Sequence, residues 1–231
     1  MARGTQLQQL VAQLRAETGR NQNVAVGTSE LDNLKEQLRR VQELLYDDNH
    51  WPFLQVERSL VLQAGQRYYD FPEDLNFDRI EVVKVKRNGI YTPVERGITF
   101  DDFSVYDSNA GDRSSPMLKW DIRNTGTIEQ LEAWPIPNEE GTLHFFGTKK
   151  LSKLVDDADR ADLDDRLIVL FSAAEILARQ KSPDAKNKLD LANTRLLKLK
   201  ANGQAASKTV QVGQGYRHGN SHSGKTVLVV R

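Results

Sequence analysis

The spacing that most suggests chemistry lies near the C-terminus, where Gly219, Gly224, Lys225 and Thr226 match G-x-x-x-x-G-K-[ST]. That loop holds phosphates on the N-terminal amides of a helix that follows it, with a strand ahead. Here the next residues, 227–231, are strand formers, and no parallel-sheet pattern precedes the match. Nucleotide binding is not expected, and a Gly/Ser-rich arm accounts for the same residues. His218 and His222 stand four apart, but a metal needs both on one helical face. Glycines flank this pair and no carboxylate lies near. His50 and His144 are isolated from any nucleophile motif.

The acidic run from Asp156 to Asp165 lacks the sixth-position Gly and the bidentate Glu of a calcium loop. Its carboxylates are better used to cap and complement a helix that starts near Leu163. Asp101-Asp102 and Glu139-Glu140 sit in turn contexts, with nothing to push their protonation apart as acid/base catalysis requires. Trp51, Trp120, Trp134, Tyr68, Tyr69, Phe71, Phe145 and Phe146 fall on strand-like segments without interleaved basic residues. Core packing is their expected role, because aromatics dominate burial energetics. No catalytic residue, metal site or cofactor is expected.

The 231 residues carry 32 Lys+Arg against 32 Asp+Glu, so no long-range field attracts phosphates. Zero cysteines exclude disulfides, thiolate zinc sites and a thiol nucleophile. The N-terminus lacks the apolar stretch of a cleaved signal. No window approaches the ~18 apolar residues of a membrane span. A soluble product is the expectation.

Helical periodicity marks both ends. Leu7, Leu10, Val11 and Leu14 share one face, and Thr5 with Gln8 has capping-box spacing. A second helix is predicted from Thr28/Ser29 to about Asp47, with Leu31, Leu34, Leu38, Val41 and Leu45 on its stripe. From about 55 to 150 the pattern has period two, with strands predicted at 59–63, 66–71, 79–87, 90–94, 117–123, 127–134 and 142–148. Asn88-Gly89 predicts a type I′ hairpin, and Pro93 an edge strand or bulge. Leu163, Leu167, Leu170, Phe171, Ala174, Leu177 and Ala178 predict a third helix. Ser182-Pro183 opens a fourth, carrying Ala185, Leu189, Ala192, Leu196 and Leu199 and stopping at Asn202-Gly203. Residues 203–231 are Gly/Ser/Gln/Asn-rich, with four basic residues and no acid, and cannot bury enough surface to offset their ordering entropy. This arm is expected to order only against a partner.

The fold class is thus α+β: an α-helical bundle with an inserted antiparallel β-domain and an extended C-terminal arm. The expected segments are 1–54 (N-terminal helices), 55–150 (β-domain), 151–202 (C-terminal helix pair) and 203–231 (arm).

Taken in order, four stretches resemble the portal-to-tail adaptor (neck, head-completion) proteins of tailed bacteriophages. The first is the helix exit Trp51-Pro52-Phe53-Leu54. The second is the turn from Ala64 to Leu75, similar to the family's G-x-x-x-Y-x-L-P-x-D-L, with Phe71 where Leu is usual. The third, Leu131 to Pro137, is similar to L-x-L-x-P-x-P, and the last is the acidic lead into the helix pair from Asp156 to Lys200. Together they cover roughly residues 31–202.

The resemblance implies a ring, usually of twelve copies, beneath the portal. Such a ring closes the packaged head and continues the DNA channel in the virion neck after assembly in the host cytoplasm. Its partners would be further copies of itself, the portal, tail or nozzle proteins, and double-stranded DNA passing without sequence-specific contact. The family is not enzymatic as a class, although a cell-wall-degrading activity has been proposed for some relatives. Strand addition by the arm predicts partner-binding residues Thr209, Val210, Gln211, Val212, Tyr216, Arg217, Lys225, Val227, Val229 and Arg231. Two alternatives are a carbohydrate-binding module using Trp120 and Trp134, and a cell-wall hydrolase using Glu139 and Glu140.

Overall fold

Asp164 sets the start of the most buried helix. Its extended backbone and Oδ1, which accepts from the Leu167 amide at 3.1 Å, make it the N-cap of a helix over Asp165–Arg179. A computed structural model describes residues 3–20, 28–126, 128–204, 209–210 and 228–229. Among the described residues the architecture is α+β, with four α-helices, two four-stranded, mainly antiparallel sheets and one two-stranded ladder. The chain divides into two units, Met1–Phe53 with Ser152–Arg231, and Leu54–Leu151.

In the first unit, α1 (Leu7–Glu17) and α2 (Thr28–Asp48) precede α3 (Asp165–Arg179) and α4 (Asp184–Gln204). α3 contacts each of the other three, so it is buried on nearly all sides: Leu167, Ile168, Leu170, Ala173, Ala174, Ile176 and Leu177 all lie in the core. α1 buries Leu7, Leu10, Val11 and Leu14, and α2 buries Leu34, Leu38, Val41 and Leu45, as their periodicity predicts.

The expected capping box on α1 does not form. Gln6 is the N-cap and its side chain makes no capping bond, while the Thr5 hydroxyl donates to Asp165 Oδ2 at 2.5 Å. The first amides of α1 are satisfied from far along the chain: Leu7 donates to the Asp159 carbonyl at 2.8 Å and Gln8 to that of Asp157 at 3.2 Å. Tertiary acceptors have displaced the local motif, because the orphan donors of a helix start need partners from any source. On α4, Ala192 and Leu199 are buried, but Leu189, predicted for the same stripe, is 42% exposed. The helix also runs past the predicted Asn202-Gly203 stop to Gln204.

The second unit holds one sheet ordered β1 (Gln55–Leu62), β8 (Gly141–Lys149), β3 (Leu75–Arg87), β4 (Ile90–Pro93). Its other sheet is ordered β2 (Tyr68–Tyr69), β7 (Glu129–Trp134), β6 (Lys119–Asn124), β5 (Glu95–Arg96). The β3–β4 hairpin turns at Asn88 (φ 49°) and Gly89 (φ 80°), as a type I′ turn requires, and Pro93 lies on the edge strand. Leu62, Val83, Val85, Leu143 and Phe145 of the first sheet pack against Tyr69, Trp120, Leu131 and Ala133 of the second. The two-residue strand β5 was not predicted, and it pairs parallel to β6 in an otherwise antiparallel arrangement.

Candidate docking surfaces

Of the predicted arm residues, Thr209 and Val210 form β9 (Thr209–Val210), which pairs antiparallel with β10 (Leu228–Val229); Val210 faces Leu228 and Thr209 faces Val229. Within the single chain these two short pieces meet each other. Both are β-branched or apolar, the residue types that favour strands. A two-residue ladder is marginal by itself. Gln211, Val212, Tyr216, Arg217, Lys225, Val227 and Arg231 lie outside the described residues, as do His218, His222 and the glycines of the loop-like motif.

The acidic run is used for structure. Asp164 caps α3, the Asp159 carboxylate accepts from the amides of Val155 and Asp156 at 2.6 and 2.7 Å, and Asp162 accepts from that of Ser152 at 2.7 Å. Those two amides hold the Asp159 carboxyl below its usual range. No cluster of three potential metal ligands occurs among the described residues.

Trp51, Trp120 and Trp134 are each at most 4% exposed, so the core role holds and neither Trp120 nor Trp134 can serve as a sugar platform. Phe146 departs from that role. It points away from the core at 39% exposure, because alternation along β8 sends Leu143 and Phe145 inward and His144 and Phe146 outward. Glu139 is ion-paired with Arg87 at an exposed turn, which ties up one of the two candidate hydrolase acids.

Two exposed features stand out in the β unit. The outward face of the first sheet carries a groove of about 400 Å³ lined by Glu57, Val82, Lys84, Tyr91, His144, Phe145 and Phe146. Register places Phe146 between Glu57 on β1 and Val82 on β3, and His144 beside Lys84. His144 Nδ1 lies 3.1 Å from Glu57 Oε1 and its ring meets Tyr91 edge-on at 5.2 Å. The sequence shows His144 as isolated; only strand pairing supplies these neighbours.

The second feature is a tip after β5. Phe100 is 89% exposed and stacks edge-on against Phe103 at 6.2 Å. Asp102 holds the tip in shape. Its Oδ2 accepts from the amide and hydroxyl of Thr99 at 2.7 and 2.9 Å, and Lys119 Nζ donates to both oxygens at 2.7 and 2.9 Å. Those bonds, the one from Lys119 first, hold the Asp102 carboxyl below the usual carboxylate range. Trp134 Nε1 donates to the Tyr106 carbonyl at 3.0 Å, anchoring the far side of the loop. Sequence reading noticed Asp101-Asp102 as a turn and passed over Phe100; an aromatic beside two acids in a turn was the available signal.

In the helical unit, Arg20, Glu30, Gln37, Arg40, Ile176 and Arg179 line an open cleft of about 720 Å³. Its charges are largely paired within the chain, Arg20 with Glu30 and Arg40 with Glu175, which also accepts from the Gln37 amide.

Apolar side chains projecting into solvent, beside carboxylates engaged in capping and ion pairs, are the surface of a protein that assembles with others. The model of the SU10 adaptor protein family matches residues 5–213, and the chain belongs to that family. It is a structural adaptor protein of bacteriophage, which places it in the virion, and the family is one of structural adaptors rather than of enzymes. No curated protein matches the chain. No helix among the described residues is long and apolar enough to cross a membrane.

Proposed function

We propose that this adaptor forms a ring of twelve copies in the neck, joining the portal to the tail, closing the packaged head and continuing the channel through which DNA leaves. The observation that carries the reading is α4. Among the helices it packs chiefly on α3, with an ion pair from Lys188 to Glu17 of α1, and leaves Leu189, Leu191 and Leu197 exposed at 42, 51 and 67%. On the ring reading, the leucines that α3 leaves exposed are covered by a neighbouring molecule. In this reading the helices form a bundle that builds the ring wall, residues 55–150 offer docking surface to tail or nozzle proteins, and the arm from residue 203 engages portal or a neighbour by strand addition. The even balance of 32 basic and 32 acidic residues suits a channel that lets DNA slide, because a strongly basic lining would hold it through counterion release.

Light scattering of the purified chain, alone and mixed with portal, tests this. A mass near twelve copies, alone or on portal, is expected; a monomer that stays monomeric and never binds portal overturns the reading.

A further inference from the structure

Resting on the ring reading, we propose that neighbouring copies are joined head to tail through the β unit, the Phe100–Asp101 tip of one seating in the Val82–Phe146 groove of the next. Each half of this contact is exposed and unexplained by the fold around it. Phe100 is 89% exposed although it belongs to a loop pinned by Asp102, Lys119 and Trp134. A rigid loop that holds a phenyl ring in water has already met the ordering cost that binding otherwise requires. Beside it, Asp101 is exposed, and although it is the N-cap of the turn over Asp102–Ser104 its carboxylate makes no capping bond. The tip therefore offers an aromatic knob next to a carboxylate that no capping role occupies.

The groove offers the complement. Val82 and Phe146, 43 and 39% exposed, sit directly opposite one another in the β3–β8 register, with Tyr91 at 47% closing one side. Lys84 and Lys86 follow Val82 on the same face, both exposed. Lys86 Nζ stands 5.1 Å from the centre of the Tyr91 ring. The one acid lining the groove, Glu57, is engaged by His144. An apolar slot with two lysines beside it is matched in shape and sign by a phenyl ring followed by an aspartate. The knob is pinned to β6 and β7 of one sheet, while the groove is on the outward face of the other. A contact between such different patches is heterologous and propagates from copy to copy, closing into a ring when the rotation permits.

The chain contains no cysteine, so introduced thiols report this contact without background. Full-length Phe100→Cys and Val82→Cys proteins are mixed, with portal present and absent, and treated with a short bismaleimide. The expected result is a crosslinked dimer in the mixture that neither single variant forms, and a ladder extending beyond dimer in the double variant. Charge reversal supplies a second measurement: Asp101→Lys lowers association about tenfold, and combining it with Lys84→Glu restores it. Rings that assemble without the crosslink, or a double variant whose products stop at dimer, overturn this contact while leaving the ring reading in place. A chain that neither crosslinks nor oligomerises, with portal present, overturns both.

Discussion

Arg195 of α4 grips the residue that begins α3: its Nη2 lies 2.6 Å from Asp164 Oδ2 and its Nε 3.2 Å from Oδ1. Asp164 is 1% exposed and also accepts from the Leu167 amide, so one carboxylate both starts a helix and ties the next helix to it. The same contact raises the pKa of Arg195 above its usual value. Asp164→Ala removes the cap and the pair together and is expected to cost about 2 kcal/mol. Asp164→Asn, which keeps an acceptor for the Leu167 amide, costs about half as much. Urea midpoints of the full chain check both values; equal losses for the two variants would refute the capping role.

Acid should loosen the tip that carries Phe100. The bond from Lys119, with those from Thr99, lowers the pKa of Asp102, so the folded chain binds that proton more weakly than the unfolded one. The stability this contributes is complete above the unfolded value near about 3.9 and is lost as pH falls through the lower folded value. Asp74, lowered chiefly by its bond from Arg58, acts in the same direction. Melting temperatures between about pH 6 and pH 2.5 should fall with acid, and fall less steeply in Asp102→Asn. A variant as acid-sensitive as the parent would remove Asp102 from the account.

Gly147 is expected to resist substitution. A Cβ there would stand 2.8 Å from the Arg79 carbonyl oxygen and 3.0 Å from Ile80 Cα, both backbone atoms beside the register shift between β3 and β8. Backbone cannot step aside as a flexible side chain can, so Gly147→Ala should cost about 2 kcal/mol. Gly141→Ala is the control, because its nearest contact is an ordinary 3.6 Å. Thermal denaturation of the two variants should separate them.

Substitutions on the open side of α4 should spare the fold and disturb assembly. Leu191→Glu and Leu197→Glu replace side chains 51 and 67% exposed, so each should change folding stability by no more than about 0.5 kcal/mol. Both should lower the mass seen by light scattering in the presence of portal. Unchanged mass alongside unchanged stability would mean that these leucines face solvent in the assembled protein as well.

Local order was legible wherever neighbours in sequence are also neighbours in space. Helical spacing located the buried stripes of α1 and α2 and most of that of α3, where Ala178 is exposed instead, and Asn88-Gly89 located the hairpin, because positive φ at two successive positions is a property of those residues themselves. What only the tertiary structure decided came from partners far along the chain. Thr5 left its local capping partner for Asp165, a residue 160 positions away. His144 acquired Glu57 and Tyr91 through strand pairing, and Phe146 was turned outward by the register of β8. The shape of the turn beside Phe100 came from Asp102 meeting Lys119, 17 residues on. Periodicity shows that a residue lies on one face or the other, but which face meets the core depends on sheet order, and that is fixed by burial summed over the whole unit.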